Sequence, residues 1–369
     1  MVDFQESGHG GDLLGFAARF GKREEEILDF SSNINPLGPS ETLIELYHRS
    51  AAELSRYPDA GARPFVEKIA EIYSISPEMI LAGNGSMEIL SLAVRALKPA
   101  RALIVEPCFK EYRALLENQG CLVSAVPLNP EDNFKFPLNL LANQLSRVQL
   151  LILGHPNNPT GTALTSEEMT FLLEQARRAR VFVIADEAFA DWTPEISVIP
   201  EVQKGGLLVV RSLTKFFALA GIRSGFAIGL TDLIRKMKTD QGPWSCNRLA
   251  QKLSIAAMED REFSLKTRNW FKEEAEWLRA SLEGLGEFKV FPSLANFFLV
   301  KSNRPAPDLF DFLGPRGIYV KQVKDILGFE DSFFRIAVRT RGDNQRLIET
   351  LSAWIRTSAV LTPSEEALK

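Results

Sequence analysis

Three charged residues and one glycine-rich turn in the middle of the chain lie next to apolar runs. Lys215 lies five residues after one run, Asp186 directly follows another, and Arg223 precedes a third. Gly85 lies earlier, in a turn between an apolar run and a predicted helix. A lysine can form a Schiff base with an aldehyde, an aspartate can pair with a protonated ring nitrogen, and an arginine beside a helix start can bind a phosphate. This order of residue types indicates a site for a cofactor that has all three groups.

Lys215 is the candidate nucleophile. A lysine with an ordinary pKa of about 10.4 does not readily give up its proton without a tuned pocket. The residues around Lys215 are the hydroxyls Ser212 and Thr214 and the aromatic rings Phe216 and Phe217. We therefore expect Lys215 to form the Schiff base.

The other candidates would hold the remaining parts of the cofactor. A pyridine ring is a better electron sink when its nitrogen is protonated, and Asp186 at a strand end can keep it so. A phosphate prefers backbone N–H groups at a helix start together with a fixed cation. The residues that can bind it in this way are Gly85, Ser86, Met87, Ser212 and Arg223. These requirements are those of pyridoxal 5'-phosphate (PLP).

Each of these parts alone has a more ordinary explanation. Residues 83–88 could form a plain strand-to-helix turn, and Lys215 could be a surface lysine. Asp186 and Glu187 could be a solvated strand end or half of a metal pair. The joint pattern on successive strand ends favours the PLP site.

The elements that must position these residues follow from the apolar runs. Runs of this length separated by helical stretches are typical of a mostly parallel sheet covered on both faces, an α/β architecture. In such sheets ligands bind at the carboxyl ends of the strands, where the candidates lie. The runs are residues 102–105, 122–126, 148–153, 181–185, 207–210 and 226–228.

A chain of 369 residues is long enough for one large and one smaller domain. We expect residues 1–45 to be an N-terminal arm that packs on the small domain. Residues 46–250 would form the large PLP-binding domain, and residues 251–369 a small α+β domain.

Composition excludes several other classes of function. A formal charge of −4 offers no field for nucleic acid or an anionic membrane. The three cysteines and three histidines are scattered, without the spacing of a disulfide framework or a metal site. The sequence shows no signal peptide and no apolar run of about 18 residues, so we expect a cytoplasmic protein that binds no metal, membrane or nucleic acid.

The chain as a whole resembles the fold-type I aminotransferase superfamily, in particular its histidinol-phosphate aminotransferase branch. The resemblance extends from residue 29 to about residue 355 and is carried by the segments HPNNPTG, DEA and SLTK. It implies that Asp186 pairs with the pyridine nitrogen, that Lys215 is the Schiff-base lysine and that Arg223 binds the phosphate. It also implies that Asn158 binds the cofactor's 3-oxygen and that Phe109 stacks on the ring.

Two further implications concern assembly and electronics. Tyr57, in the segment RYPD, is similar to the tyrosine that reaches a neighbouring subunit's cofactor phosphate, which implies a homodimer with shared active sites. Phe189 stands where the family's aminotransferases usually have tyrosine, three residues after the aspartate. This difference removes one hydroxyl donor to the 3-oxygen.

Three other segments resemble the threonine-phosphate decarboxylases of the cobalamin pathway. They are HGGD at residues 9–12, FSSNINPLG at 30–38 and QGPWSCN at 241–247. The resemblance implies a phosphorylated amino acid as substrate. The residues implied to bind it are His9, Gly10, Asn33, Asn158, Lys321 and Arg335.

Simpler explanations exist for these segments too. A glycine-rich start is commonly a flexible terminus, Trp244 to Asn247 could be a helix cap, and Arg335 and Arg339 could be solvated cations. Lys321 stands where the family has arginine, and lysine presents a point charge in place of a bidentate fork. Serine phosphate, one methyl smaller, is therefore a second candidate substrate, since a pocket discriminates a methyl by only roughly 1–3 kcal/mol.

The sequence thus predicts a PLP-dependent decarboxylase that converts L-threonine O-3-phosphate, or L-serine O-phosphate, to the amine phosphate and carbon dioxide. In this interpretation the substrate-binding residues hold the carboxylate perpendicular to the ring, and Lys215 returns a proton to the α-carbon. The alternative enzyme is a histidinol-phosphate-type aminotransferase. A third possibility is a non-catalytic PLP-fold regulator, which the intact Lys215, Asp186, Asn158 and Arg223 disfavour.

Overall fold

The structure is a computed structural model, and it describes residues 10–305, 307–323, 329 and 331–359. The chain divides into two compact units. The larger unit comprises residues 34–268 and 293–295, and the smaller one comprises the described parts of residues 10–33, 269–292 and 296–359.

The described strands are numbered in chain order. They are β1 Leu28–Asp29, β2 Ile80–Gly83, β3 Arg101–Glu106, β4 Leu122–Pro127, β5 Leu150–Gly154, β6 Phe182–Asp186, β7 Leu207–Ser212, β8 Gly225–Gly229, β9 Phe288–Val290, β10 Phe297–Ser302, β11 Ile318–Tyr319, β12 Lys321–Gln322 and β13 Phe333–Ala337.

The described α-helices are numbered in the same way. They are α1 Leu13–Phe20, α2 Glu41–Ser50, α3 Arg63–Tyr73, α4 Ser86–Leu97, α5 Glu111–Glu117, α6 Leu138–Leu145, α7 Ser166–Ala179, α8 Thr231–Asp240, α9 Arg248–Glu259, α10 Arg261–Glu283, α11 Pro307–Leu313 and α12 Arg341–Ala359. None of these helices is both long and apolar enough to cross a membrane.

The larger unit is built on a seven-stranded sheet with the order β2-β8-β7-β6-β5-β3-β4. Strands β3 to β7 pair in parallel, whereas β8 is antiparallel to both of its neighbours, β2 and β7. Every residue of β5, β7 and β8 is buried, which explains why these strands read as continuous apolar runs. The predicted mostly parallel α/β sheet is confirmed.

The register of this sheet brings several strand ends to one edge. Gly154, at the end of β5, is opposite Asp186, and Asp186 is opposite Val210 near the end of β7. Because β8 runs the other way, its first residue Gly225 lies beside both Ser212 and the end of β2. Segments that follow β5, β6 and β7 therefore start at the same edge as the turn before α4 and the residues before β8.

The smaller unit contains an antiparallel four-stranded sheet with the order β12-β13-β10-β9, and a parallel pair formed by β1 and β11. One face of β13 and β10 packs into a core with α12 and the last turns of α10. The largest side chains of this core include Phe30, Phe288, Phe334 and Trp354.

The boundaries of the compact units differ from the predicted domain boundaries at residues 45 and 250. Residues 34–45 and 251–268 belong to the larger unit. Asn35 donates a hydrogen bond to the carbonyl of Phe216, and Gln251 donates to the carbonyls of Asp59 and Cys246. Two of these contacts, Asn35 to Phe216 and Gln251 to Asp59, join residues far apart in sequence within the larger unit, which accounts for the difference.

Candidate active site

Asp186 is the buried acid at the carboxyl end of β6, with 6% of its surface exposed. The Tyr112 hydroxyl donates a hydrogen bond to Oδ2 at 2.7 Å, and the Ala188 N–H donates to Oδ1 at 3.1 Å. Burial raises the pKa of Asp186 to about 6; the two hydrogen bonds act in the opposite direction, and Glu187 adds to the rise. No cation of the described chain is among the causes of this shift. The carboxyl therefore suits a cationic group brought by a ligand.

Tyr112, on α5, is a site residue that the sequence analysis missed. Its hydroxyl is fully buried, and burial raises its pKa well above 10, so it remains a neutral donor to Asp186. A Cβ at Gly154 would lie 3.3 Å from this hydroxyl, so the glycine leaves room for the phenol at the end of β5. The ring packs edge-to-face on Phe109 at 5.5 Å between centroids. The sequence feature that could have identified Tyr112 is its position, about one helical turn after the predicted ring-stacking residue Phe109.

Glu187 forms a buried ion pair with Arg211. Arg211 Nη1 donates to its Oε2 at 2.8 Å, and the Ser197 hydroxyl donates to the same oxygen at 2.7 Å. Arg211 also pairs with Asp191, and all of these groups are largely or fully buried. Among the described residues no group of three or more side chains could hold a metal ion. These contacts oppose the metal-pair explanation of the Asp186–Glu187 segment.

The start of α4 and the residues around β8 form a close backbone cradle. A Cβ at Gly85, whose φ is +79°, would lie 2.8 Å from Arg223 Nη2, so the guanidinium packs directly on this glycine. A Cβ at Gly225 would lie 2.9 Å from the Ser86 nitrogen, and Gly225 is opposite Ser212 in the sheet. The structure thus brings together the predicted phosphate-binding residues Gly85, Ser86, Ser212 and Arg223.

Two further details suit this cradle to a phosphate. Ser86 and Met87 form the first turn of α4, and the first N–H groups of a helix have no partner within it. Arg223 is partly held in place, since its Nη1 donates to the Ala220 carbonyl at 3.2 Å. A cation and free helix N–H groups are the two features that bind phosphate at a helix start.

Lys215 and Asn158 lie in loops that leave this same edge of the sheet. Lys215 follows β7, is half-buried, and its carbonyl accepts a hydrogen bond from the Asn35 N–H at 3.0 Å. Asn158 is half-buried in the loop after β5, and Phe109 follows β3. Strand register therefore places all predicted cofactor residues but one at one edge.

The exception is Tyr57, which lies on the surface of the larger unit with 76% of its area exposed. Its ring packs on that of Trp244 with centroids 4.7 Å apart. Asn247, at the end of the Trp244 segment, caps α9 by accepting from the Ala250 N–H at 2.8 Å, so the predicted helix cap is present.

In the smaller unit, Gly10 and Lys321 lie next to Arg335. Arg335, on β13, is buried and donates from Nη2 to the Ser31 carbonyl at 2.6 Å. A Cβ at Gly10 would lie 2.1 Å from this carbonyl oxygen and 3.3 Å from Arg335 Nη2, so the close approach requires glycine. Lys321 is directly opposite Arg335 across the β12–β13 pair. Burial lowers the pKa of Arg335 to about 10, while Asp29 raises it.

Asn33 lies in the same unit and is buried, and its side-chain oxygen has no hydrogen-bond partner among the described residues. Its own carbonyl is fixed by Asn296 Nδ2 at 3.0 Å. A buried amide atom without a partner is costly, and a ligand group would satisfy it. His9 lies outside the described residues.

Comparison with known proteins places the chain in a family. The family model for aminotransferase class I and II matches residues 25–351. A threonine-phosphate decarboxylase of Salmonella typhimurium is 32% identical over 348 residues, which cover 94% of this chain and 96% of that protein. A histidinol-phosphate aminotransferase of Symbiobacterium thermophilum is 32% identical over 333 residues, which cover 89% of this chain and 90% of that protein.

The crystal structure of the histidinol-phosphate aminotransferase from Clostridium acetobutylicum has a TM-score of 0.83 to this chain at 29% identity, covering 88% of this chain and 98% of that one. The fold is thus the fold-type I architecture predicted from the sequence. The chain belongs to the aminotransferase class I and II family. The predicted resemblance to its threonine-phosphate decarboxylases and histidinol-phosphate aminotransferases is confirmed.

Proposed function

We propose that this chain is a PLP-dependent decarboxylase of L-threonine O-3-phosphate in cobalamin biosynthesis. The products are carbon dioxide and aminopropanol phosphate. The observation that carries the PLP part of the proposal is Asp186, a buried carboxyl at the end of β6 whose oxygens accept hydrogen bonds from Tyr112 and the Ala188 N–H. The similarity to the Salmonella typhimurium threonine-phosphate decarboxylase supports the choice of reaction.

The residues present fit the cofactor. Bound here, PLP supplies a cationic ring that accepts the electron pair left when a bond to the substrate's α-carbon breaks. Asp186 holds the ring nitrogen protonated, and Tyr112 keeps Asp186 ionised by donating to Oδ2. Asn158 would bind the 3-oxygen of the ring, and Phe109 would stack on the face of the ring.

The cradle in the larger unit binds the cofactor phosphate. Ser86 and Met87 donate backbone N–H groups from the first turn of α4, Ser212 adds a hydroxyl, and Arg223 adds a fixed positive charge. Gly85 lets the guanidinium approach the helix start. A phosphate held by a helix start and an arginine anchors the ring without taking part in the chemistry.

Lys215 has two tasks in this proposal. Its amine would hold the cofactor in the absence of substrate, and its ammonium would deliver a proton to the α-carbon after carbon dioxide leaves. The electron pair of the broken carbon–carbon bond would stay with the α-carbon and the conjugated ring, and the proton from Lys215 would combine with it to form the new C–H bond.

The substrate's anionic groups are bound by Arg335 and Lys321, with Gly10, Asn33 and His9 completing the set. Arg335 is buried and its burial disfavours the charged form, so an anion beside it is strongly favoured. By fixing the phosphate and carboxylate, these residues direct the carboxylate, and not the α-hydrogen, to the position where its bond breaks. Phe189, buried after β6, supports a decarboxylase over a transferase because it lacks the tyrosine hydroxyl of the aminotransferases.

The test is a product assay with purified, PLP-loaded protein. L-threonine phosphate and, in parallel, L-serine phosphate are supplied without any keto acid, and carbon dioxide and amine phosphate are measured. Carbon dioxide with aminopropanol phosphate supports the proposal. A larger yield of ethanolamine phosphate would make serine phosphate the substrate.

A histidinol-phosphate-type aminotransferase is the second candidate, supported by the similarity to the Symbiobacterium thermophilum enzyme. Its test supplies histidinol phosphate and 2-oxoglutarate. Amino transfer without any release of carbon dioxide from threonine phosphate would replace the decarboxylase proposal.

Assembly as a homodimer with shared active sites is part of the proposal. It is supported by Tyr57, a large aromatic side chain that is mostly exposed and packs only on its surface neighbour Trp244 among described aromatic rings. Sedimentation of the PLP-loaded protein tests it, and a monomer at micromolar concentration would contradict it. Location in the cytoplasm remains a prediction.

A further inference from the structure

We infer that Asn35 is a positioning residue for Lys215: it fixes the backbone of the loop that carries the lysine. The Asn35 N–H donates to the Lys215 carbonyl at 3.0 Å. Its side-chain Nδ2 donates to the next carbonyl, that of Phe216, at 2.8 Å. This inference rests on the proposed function, because it assumes that Lys215 is the lysine that bonds to the cofactor.

The loop after β7 needs such a support. Between the end of β7 at Ser212 and the short helical turn that begins at Ala220, the chain forms no regular helix or strand. Its backbone groups therefore have no ladder to join, and buried carbonyls need partners from elsewhere. Within the loop, the Lys215 carbonyl accepts only a long hydrogen bond, of 3.4 Å, from the Ala218 N–H. Asn35 supplies the shorter bond at this carbonyl.

Asn35 is itself held in one orientation. Its Oδ1 accepts from the Leu37 N–H at 3.1 Å, and Nδ2 also donates to Thr267 Oγ1 at 3.3 Å. Only 2% of the residue is exposed. The Oδ1 atom accepts from an N–H, and Nδ2 donates to two oxygens. In Asn35→Asp a carboxylate oxygen would replace Nδ2 and would be repelled by the oxygen of the Phe216 carbonyl.

The side chain that follows the lysine is fixed as well. The Phe216 ring lies edge-to-face on Trp192 at 4.9 Å and has the Arg268 guanidinium over it at 5.5 Å. Asn35 holds the Phe216 carbonyl and these groups hold the Phe216 ring, so the residue next to Lys215 has little freedom. Small displacements of a reacting group slow its reaction strongly, which gives this anchoring a functional consequence.

The experiment compares Asn35→Asp and Asn35→Ala with a matched control, Asn344→Ala. Asn344 is buried in the smaller unit and has the same set of bonds: Nδ2 donates to a backbone carbonyl and a side-chain oxygen, and Oδ1 accepts from a backbone N–H. For each protein we would measure thermal unfolding without cofactor, the rate at which added PLP develops its visible absorbance band, and the pH dependence of that band.

We expect all three variants to lower the unfolding temperature, since each loses buried hydrogen bonds. Only the Asn35 variants should develop the band more slowly, by about tenfold, and shift its pH midpoint. Kinetics should then show a lower kcat with little change in KM. An unchanged rate and midpoint in Asn35→Asp would overturn the inference, as would an equal effect in Asn344→Ala. If the unmodified protein itself develops no visible band, the proposed function fails first, and the two failures are thus distinguished.

Discussion

Asp186 in the larger unit and Arg335 in the smaller one are buried ionisable groups that burial shifts toward their neutral forms. The pKa of Asp186 is raised to about 6, and that of Arg335 is lowered to about 10. Each would therefore be stabilised by a charge of opposite sign from a ligand. In the proposed function the cofactor ring supplies the cation for Asp186, and the substrate supplies the anion for Arg335. Asp186 thus recognises the cofactor in this proposal, and Arg335 recognises the substrate.

The two groups differ in how they are held. Asp186 sits at a strand end, and two donors, Tyr112 and the Ala188 N–H, bind its oxygens. Arg335 is held by the Ser31 carbonyl and lies under a backbone segment that only glycine at position 10 permits. Sheet register thus builds the first group, whereas close approach of distant backbone segments builds the second.

The largest effect is expected from removing Lys215, which leaves both charged groups intact. Lys215→Ala should abolish the visible absorbance band and lower turnover by at least about a thousandfold, because no amine remains to bond to the cofactor or to return the proton. Lys204→Ala, at an exposed ion pair with Glu201 in the same unit, is the control and should behave as the unmodified protein. A band retained in Lys215→Ala would show that another residue is the cofactor lysine.

Replacing the acid should affect the cofactor. In Asp186→Asn the amide cannot hold the ring nitrogen protonated, so we expect kcat to fall by about 100-fold and PLP to bind more weakly. PLP affinity is measured by titration, and kcat by release of carbon dioxide. An effect confined to KM for threonine phosphate would mean that Asp186, like Arg335, recognises the substrate.

Replacing the arginine should affect the substrate. Arg335→Gln should raise KM for threonine phosphate by about 100-fold while PLP affinity and the visible band stay unchanged, since a desolvated charge partner of the substrate is lost. Arg339→Gln is the matched control, because Arg339 in the same unit already pairs with Asp343. Equal changes in the two variants would mean that Arg335 has a structural role only.

A smaller change is expected when the hydrogen bond from Tyr112 to Asp186 is removed. In the protein without cofactor, Asp186 gains a proton as pH falls through about 6, and PLP affinity should then decline because the carboxylate is lost. The Tyr112 bond lowers the pKa of Asp186, so in Tyr112→Phe this decline should begin at higher pH. Titrations of PLP binding across pH measure the midpoint, with Asp186→Asn as the control for ionisation of the cofactor phosphate. A midpoint that moves down or stays in place would contradict the role of Tyr112.

Asp186 and Tyr112 show which parts of the site could be predicted from the sequence and which could not. Asp186, Lys215 and Arg223 could be selected because apolar runs reveal strand ends, and ends of parallel strands share an edge. Tyr112 and Asn35 could not, because their roles depend on a hydroxyl and an amide that reach residues 74 and 181 positions away. The compact units divide the chain at residues 33 and 268, whereas the sequence analysis placed domain boundaries at 45 and 250.

The smallest effect is expected at Lys321, which lies opposite Arg335 on the neighbouring strand. Lysine offers one point charge where arginine would offer a planar pair of donors. Lys321→Arg should therefore bind the substrate phosphate in a more defined position and change the ratio of kcat/KM for threonine phosphate over serine phosphate by about tenfold or less. Parallel assays with the two substrates measure this ratio, and Lys301→Arg on β10 is the control.

An unchanged ratio with an altered KM for both substrates would mean that Lys321 binds the common phosphate without selecting the side chain.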